Sequence, residues 1–297
     1  LEKCDVSEIK NFEELFRKSK ITSEELKYIA NWNVSNGIDF INMFYKCYNI
    51  KSLNQLKKWN VSNCEDFSFM FHKCINLESL EGLENWNVSN GKDFHSMFYE
   101  CHKLESLKLL ENWNVSNGKN FSFMFSDCYS LKSLKSLENW DVSNCKDFGY
   151  MFNECFKLKS LEGLENWTVS NGKDFGCMFC DCHNLESLEG LENWDVSNGK
   201  WFNCMFSGCY NLKNLKGLEN WNVSNGKYFG SMFCDCFLIG SLKPIQNWKI
   251  SKGIDFINMF RNWKNIISFK SLEKWKINNK SDYYGFYNYD SIIKKFN

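Results

Sequence analysis

The sequence predicts an α/β repeat solenoid, and three observations lead to that prediction. Tryptophan recurs every 27 residues, without a slip, from Trp32 to Trp275. All nine methionines occupy a second column of the same period, and eight cysteines occupy a third. A fixed period of this length is typical of chains in which each unit buries its apolar face against the next unit.

The first element of each unit is an extended segment. Trp86 and Val88 alternate with polar residues, which predicts a short strand, and Asn90-Gly91 predicts a turn after it. Cys64 and Cys145 stand where the other units have the turn glycine, so this turn tolerates a side chain.

A short helix is the second predicted element. Phe94, Met97, Phe98 and Cys101 stand at i, i+3, i+4 and i+7, which is one face of a helix of about two turns. Asp93 precedes this helix at the position of an N-cap.

A second strand follows the helix, and it sets the predicted curvature. Leu104 and Leu107 flank this segment, with Leu107 pointing inward. Stacked strands lie about 4.8 Å apart, whereas packed helices need about 8–10 Å. The sequence therefore predicts a curved array with short strands on the concave face and short helices on the convex face.

Three regions are predicted along the chain. Residues 32–275 form the solenoid of about nine repeats. Residues 1–31 leave the pattern and are predicted to form a helical N-terminal cap. Residues 276–297 are rich in Tyr and Phe and are predicted to cover the last coil, with a docking surface for a partner as the alternative. Capped ends also allow self-association.

The repeat carries a resemblance. The run W-[ND]-V-S-N-x-x-D-F-x-x-M-F-x-x-C-x-x-L-x-S-L resembles the BspA-like leucine-rich-repeat proteins, of the repeat type abundant in mycoplasma lipoproteins. Residues 32–275 carry it. The resemblance implies a curved solenoid and a role in surface attachment or host interaction.

The cysteines are predicted to be free thiols. Eight of the fifteen occupy the inward position of the predicted helix, where unpaired Cys packs as a small apolar residue. Neighbouring helices would keep equivalent Cα atoms too far apart for easy bridging. Cys177, Cys180 and Cys204 are the alternative, because they could converge on the surface as zinc ligands, although a structural site normally needs four.

Several function classes find no support in the residues. No nucleophile–base constellation or phosphate-binding loop emerges, so neither an enzyme nor a cofactor is expected. Only two of the basic residues are Arg and the net charge is zero, so nucleic acid is not an expected partner. No apolar run reaches the length of a membrane span, so membrane insertion is not expected.

Two charged columns on the predicted concave face are the candidate binding site. Both columns mix signs, so they could be a solvated face with ion pairs between coils or a patterned surface that binds a protein. The predicted partner-binding residues are Glu78, Glu81, Glu105, Lys108, Lys132, Lys135, Lys159, Glu162, Glu186, Glu189, Lys213 and Lys216.

These observations predict a non-enzymatic scaffold that binds another macromolecule, a protein, in host or virus–host interaction. A secreted or surface adhesin and a structural component of a particle or fibre are the alternatives. Free thiols favour a reducing, intracellular compartment. The first residues, Leu1 to Cys4, are polar and do not resemble a secretory signal, and removal of an upstream signal would make the protein secreted or surface-exposed.

Overall fold

The chain forms one continuous stack of coils, with a neighbouring coil reached every 27 residues. The computed structural model describes residues 1–266, 268 and 270–275. Among these residues the regular elements are short 3-10 helices, with no α-helix and no strand longer than a single bridge. The 3-10 helices span Glu25–Tyr28, Asn54–Leu56, Lys108–Leu110, Lys135–Leu137, Lys243–Ile245 and Lys270–Lys274. The predicted aromatic cap at 276–297 lies outside the described residues.

The segment predicted as a helix is instead a chain of turns, which we call the turn segment (residues 94–101 and their equivalents). Every second N–H donates to the next coil, as those of Phe94 and Ser96 do to the carbonyls of Asn120 and Ser122 at 3.0 and 2.9 Å. The N–H groups in between close turns within the coil, such as that of Met97 to Phe94 at 3.2 Å.

The turn segment explains why the sequence pattern suggested a helix. Phe94, Met97, Phe98 and Cys101 all point inward and are fully buried, as they would on one helix face. The backbone differs, because its positive φ values, 55° at Glu100 for example, are incompatible with a right-handed helix. The i, i+3, i+4, i+7 spacing therefore does not distinguish the two, and the helix prediction is wrong.

The predicted strands are reduced to single bridges. One parallel bridge joins each coil to the next at the start of the turn segment, as between Asp66 and Asp93. The segment around Leu104 and Leu107 carries no bridge, although the equivalent Ser52 and Ser79 form one. The α/β arrangement expected from the sequence is thus a stack of turns with isolated bridges.

A single position in each coil selects the bend before the tryptophan. Where Gly stands there, as at Gly163, φ is 103° and the Gly N–H donates to the Glu165 carboxylate at 2.7 Å. Where another residue stands there, as Ser136 or Pro244 does, the coil makes a 3-10 helix instead. Glycine is used at this bend because its φ of 103° lies beyond the left-handed values near 57° that side chains adopt elsewhere in the coil.

Side-chain hydrogen bonds join neighbouring coils around the tryptophan, where few backbone hydrogen bonds run between coils. The indole N–H of Trp140 donates to the carbonyl of Leu110 in the preceding coil at 3.0 Å. The amide of Asn144 donates to the carbonyl of Ser116 at 2.8 Å. The same two bonds recur in the neighbouring coils, and the buried indole rings stack on each other. The tryptophan period therefore reflects a hydrogen bond as well as burial.

The cysteine column plays the same part on the other side of the core. The Cys128 thiol is buried and donates to the carbonyl of Phe98 in the preceding coil at 3.4 Å. In the coil where Trp263 replaces the cysteine, its indole N–H donates to the Phe233 carbonyl at 2.7 Å. All fifteen cysteines are free. The column therefore requires a donor, and a free thiol supplies it.

The first residues of the chain continue the stack. The N–H groups of Phe12, Glu14 and Phe16 donate to the next coil as in every turn segment, and φ is positive at Glu14. One 3-10 helix follows at Glu25–Tyr28. Residues 11–29 therefore have the geometry of a coil although they lack its tryptophan signature.

None of the helices among the described residues has the length and apolar character needed to cross a bilayer.

Candidate binding face

The twelve predicted partner-binding residues lie on the surface in two columns. Eleven are exposed and Glu186 is half-buried. Several of them pair between coils: Lys132 Nζ with Glu105 at 2.5 Å, and Lys135 Nζ with Glu162 at 3.3 Å. The structure thus brings these charges into mutual contact rather than leaving them all open to a partner.

The pairing lowers the pKa of the carboxyl groups involved. A hydrogen bond from Lys132 lowers the pKa of Glu105, and one from Lys213 lowers the pKa of Glu186. Exposed pairs of this kind contribute little to stability because water and salt screen them. Ion pairs between coils therefore engage part of the two columns, and the role of these columns in binding stays a prediction.

A second surface carries rings that the sequence analysis did not single out. We call it the outer face: the outward side chains of the turn segments together with the residue that follows each buried cysteine. That last position holds six aromatic rings in successive coils, which we call the ring ladder. The ring ladder consists of His102, Tyr129, Phe156, His183, Tyr210 and Phe237.

The rings of the ladder stack face to face along the solenoid. The centroids of His102 and Tyr129 are 4.4 Å apart, and those of Tyr129 and Phe156 are 4.7 Å apart. Lys264 Nζ lies 5.1 Å from the ring centroid of Phe237 and covers the last open ring face. Since neighbouring rings cover each other's faces, a partner would meet the ring edges, which carry the positive part of the quadrupole.

An acidic row lies beside the ladder. Glu100, Asp127, Glu154 and Asp181 occupy one position in four successive coils. Burial, and then the like charges of the neighbouring coils, raise the pKa of Glu154. Burial is also the main cause that raises the pKa of Asp127. Lys73 pairs with Glu100 at one end of the row, at 2.5 Å.

Aromatic side chains also occupy strained positions on the outer face. Phe69, Phe123 and Tyr150 have φ of 57°, 58° and 59°. Bulky residues are rare in this region of φ, and each costs about 1–3 kcal/mol there. Other coils place Ser96 or Asn42 at the same position. The rings are thus kept at positions where smaller residues would be easier to accommodate.

His72 is the most enclosed polar residue of this face. Its ring lies between those of Tyr45 and Tyr99, at 4.7 and 4.6 Å, and only 8% of the residue is exposed. Within the described part of the chain, its Nδ1 has no hydrogen-bond partner. Burial lowers the pKa of His72 to about 4, so the imidazole is neutral at pH 7.

The three surface cysteines considered as zinc ligands do come together on the outer face. The thiol of Cys177 lies close to those of Cys180 and Cys204, and the interaction with Cys180, together with burial, raises the pKa of Cys177 to about 12. The pKa values of Cys180 and Cys204 are raised as well. Among the described residues, no group of three or more Cys, His, Asp or Glu side chains has the geometry to hold a metal ion.

The sequence signal for the outer face was present but was hidden by the repeat. The position after the buried cysteine is aromatic in six successive coils, from His102 to Phe237. It could not be assigned to a surface, because the helix prediction left the outward residues of each coil without defined neighbours.

No curated protein sequence matches the chain. A leucine-rich repeat protein from Bacteroides ovatus is 16% identical over 76% of this chain and 79% of its own, with a TM-score of 0.22. A leucine rich cell surface protein from Faecalibacterium prausnitzii is 15% identical over 71% and 79%, with a TM-score of 0.27. A TLR13–ssRNA13 complex is 15% identical over 83% of this chain and 44% of that one, with a TM-score of 0.26. All three TM-scores are below 0.5, so the description of the fold rests on the chain's own geometry.

One family covers nearly the whole chain. Its profile, described as a Mycoplasma protein of unknown function, DUF285, matches residues 1–106, 76–189, 134–237 and 183–296. The overlapping matches agree with the repeat read from the sequence and confirm the resemblance to the mycoplasma type of leucine-rich repeat. The chain belongs to the Mycoplasma repeat family DUF285.

Proposed function

We propose that this chain is a non-enzymatic scaffold of the leucine-rich-repeat type that binds a protein through its outer face. One observation carries the proposal: six stacked aromatic rings form a continuous column on that face. Beside this column, the position of Tyr99 holds Tyr, His, Ser, Asn, Cys and Arg in different coils. The face therefore combines a constant aromatic column with side chains that differ along the stack.

The stacking of the rings supports the same face. Ring centroids of the ladder lie 4.4 to 4.7 Å apart from His102 to Tyr210, and those of Tyr210 and Phe237 lie 5.2 Å apart. The ladder is therefore continuous over six coils. It gives the outer face an extended surface of the kind that solenoids use for binding.

The chemistry of the face suits a protein partner. Protein interfaces are enriched in aromatic residues, and rigid rings contribute much of the binding energy. Tyr150 and Tyr210 are 36% and 38% exposed, and the acidic row adds charge beside them. Ring edges and carboxylates together can contact the faces of a partner's rings and its basic side chains.

The two charged columns are the second candidate surface. Ion pairs between coils already occupy part of them, but exposed pairs are weak and a partner can replace them. Binding there would depend on salt far more than binding through rings.

Matched variants separate the two surfaces. Tyr129→Ser with Tyr210→Ser removes two rings from the outer face, and Glu81→Gln with Lys108→Gln removes two charges from the columns. Each variant and the wild type would be immobilised, and the proteins captured from host cells would be quantified by mass spectrometry. We expect the ring variant to lose partners that the charge variant retains. The opposite loss would favour the columns, and equal capture by all three would overturn the proposal.

Two features of the chain bear on the cellular location in which this binding takes place. The free thiols act as hydrogen-bond donors in the core, which supports a reducing compartment. The family resemblance instead supports a secreted or surface adhesin. A structural component of a particle or fibre is the third alternative, because rods with capped ends can assemble. Alkylation of the thiols in intact source cells, with membrane-impermeant and permeant reagents in parallel, distinguishes an exposed location from an internal one.

A further inference from the structure

The outer face carries the one Cys-x-x-Cys pair of the sequence, Cys177 and Cys180. A single turn joins the two residues, because the N–H of Cys180 donates to the carbonyl of Cys177 at 3.1 Å. Residues three apart in such a turn have Cα atoms less than about 7 Å apart, and bridged cysteines have Cα atoms about 4.4–6.8 Å apart. The backbone therefore brings the two cysteines within bridging distance.

The side chains at these two positions meet on the outside of the turn. In another coil the same positions hold Phe69 and His72, whose ring centroids are 5.3 Å apart. In their own coil, the thiols of Cys177 and Cys180 lie close together. Contact between the two positions is thus a property of the coil, and cysteine at both of them places two thiols side by side.

Exposure to solvent distinguishes the two thiols. Cys180 is half-buried, whereas only 5% of Cys177 is exposed. A dissolved reagent therefore meets Cys180 first. The cysteines of the inward column are out of reach, because they are fully buried and donate to backbone carbonyls, as Cys182 does to that of Phe152 at 3.3 Å. Buried cysteines of this kind are inert.

The groups around Cys180 decide how readily it reacts, because the thiolate is the attacking form. The Cys177 thiol beside it stabilises this thiolate and lowers its pKa, whereas burial and the Asp181 carboxylate raise the pKa, and the net change is upward. Contact with Cys177 is instead the main cause that raises the pKa of Cys204. Cys180 is therefore the thiol of the three that ionises most readily, and its reactions are slow at pH 7 and faster as the pH rises.

We propose that Cys177 and Cys180 form a reversible oxidation site, which a low-molecular-weight disulfide such as oxidised glutathione converts to an intramolecular disulfide. Cys180 attacks one sulfur of the reagent as a thiolate, a bond forms between the two sulfurs, and the other half of the reagent leaves as a thiolate. Cys177 then loses its proton and attacks the sulfur of Cys180, which releases the second half. The protein gives up two protons and two electrons, and the reagent takes them up to become two thiols. Excess dithiol reductant reverses both steps.

Cys204 is the competing partner for Cys177. It stands at the same position in the next coil, and its thiol also lies close to that of Cys177. φ is 53° at Cys177 and 54° at Cys204, so the two side chains leave their backbones in the same direction. Parallel side chains one coil apart keep their Cβ atoms about 4.8 Å apart, whereas bridged cysteines need about 3.5–4.5 Å. Cys180 is therefore the favoured partner.

Intact mass and peptide mapping of the whole chain test the proposal. The parent protein carries Cys4→Ser, since Cys4 is exposed and would itself take up glutathione. It would be incubated with oxidised glutathione at about pH 8.5, where more thiolate is present than at pH 7, and quenched with acid. We expect the loss of two hydrogen atoms with no glutathione retained, and recovery of the original mass after reduction.

Tryptic peptides locate the bond. Lysines at the peptide boundaries place Cys177 and Cys180 together in peptide 174–200 and Cys204 in peptide 201–213. The expected disulfide lies within the first peptide, and fragmentation should assign it to the two residues of the turn. A bridge between Cys177 and Cys204 would instead join the two peptides.

Serine variants of the parent assign the roles of the thiols. Cys180→Ser should remove the disulfide, because the first attack is lost. Cys177→Ser should stop the reaction at the mixed disulfide and retain glutathione on Cys180. Cys204→Ser is the matched control and should leave the disulfide unchanged. Other coils carry serine at these positions, at Ser96 and Ser207, so the fold accepts each substitution.

Three results would overturn the proposal. Thiols that all remain free in the parent after about a day would show that the pair is not an oxidation site. Glutathione retained by the parent would show that Cys177 does not displace it. A disulfide with any pairing other than Cys177 with Cys180, including one that joins peptides 174–200 and 201–213, would assign the chemistry to other thiols.

Discussion

Replacing Gly163 with alanine tests whether the bend before the tryptophan can change its form. A Cβ at this position would lie 2.4 Å from the Leu134 carbonyl oxygen and 2.7 Å from the Lys135 Cα. Both atoms belong to the backbone of the preceding coil and cannot move aside. Because φ is 103°, an alanine would also be strained in its own conformation. The wild-type bend therefore cannot hold the new side chain.

Other coils of the structure contain a second form of this bend, and that form can hold a side chain. Where Ser136 replaces the glycine, Lys135–Leu137 is a 3-10 helix and the Trp140 indole still reaches the preceding coil. A switch to this form at Gly163→Ala loses the hydrogen bond from residue 163 to the Glu165 carboxylate. That bond involves an exposed charge, so its loss costs about 1 kcal/mol. A bend that cannot switch would retain the clash and cost about 3 kcal/mol or more.

Thermal unfolding of four variants distinguishes the two cases. For a chain of this length, about 1 kcal/mol lowers the Tm by about 2 °C. Glu165→Gln should lower the Tm in the wild-type background but not in the Gly163→Ala background, because the bond is already lost there. Gly149→Ala is the control, since its Cβ would lie no closer than 3.2 Å to another atom and only side-chain atoms are near. A fall of about 6 °C or more at Gly163→Ala, or additive effects with Glu165→Gln, would refute a switchable bend.

Three further predictions concern single side chains. Trp140→Phe should lower the free energy of unfolding in urea by about 2–3 kcal/mol, because the Leu110 carbonyl loses its donor, and a loss below about 1 kcal/mol would contradict that role. Cys128→Ala should lower the free energy of unfolding by about 1–2 kcal/mol in the same assay, because it leaves a small cavity and removes the thiol hydrogen bond to the Phe98 carbonyl. An unchanged urea midpoint would contradict the role of the cysteine column as a hydrogen-bond donor. For His72, the folded pKa of about 4 lies below the ordinary histidine value of 6.5, so the unfolded chain binds more protons and stability falls as the pH drops from 6.5 to 4. His72→Tyr keeps a stacked ring but removes the imidazole. The free energy of unfolding in urea, measured at pH 6.5 and pH 4, should therefore fall by about 3 kcal/mol less in the variant than in the wild type. Equal falls in the two proteins would show that His72 does not contribute to the acid destabilisation.

The periodic columns could be predicted from the sequence, and the local backbone could not. Repeated Trp, Met and Cys at one interval allow only a stack of similar coils, and all three columns are buried. The spacing of Phe94, Met97, Phe98 and Cys101 fits both a helix and a chain of turns with alternating φ. Pattern alone cannot choose between them, because the choice depends on whether the backbone N–H groups bond within a coil or to the next one.

The error in the backbone carried over to the site. The predicted concave face followed from helices that need more room than strands, and without helices that argument fails. The Glu105 and Lys132 columns are on the surface as expected, but their role in binding stays a prediction. The ring ladder was visible as a column in the sequence, yet its place on the outer face depends on the turn segment. The strained ring at Phe123 could not be foreseen at all, because φ at that position is set by bonds to the neighbouring coil.

The side-chain donors of the Trp32, Asn36 and Cys47 columns all point the same way along the stack, toward the amino terminus. The side chain of Trp32 donates a hydrogen bond to the carbonyl of Leu1, that of Asn36 to the carbonyl of Ser7, and that of Cys47 to the carbonyl of Phe16. To these side chains the first residues supply only backbone carbonyls, which any sequence has, so they can lack the tryptophan signature and still pack against the coil of Trp32. Each later coil brings these side-chain donors to acceptors that have already been synthesised, whereas the backbone N–H groups of its turn segment donate to the coil that follows. A chain built in this way can fold in the order of its synthesis, with each new coil completing the hydrogen bonds of the coil before it.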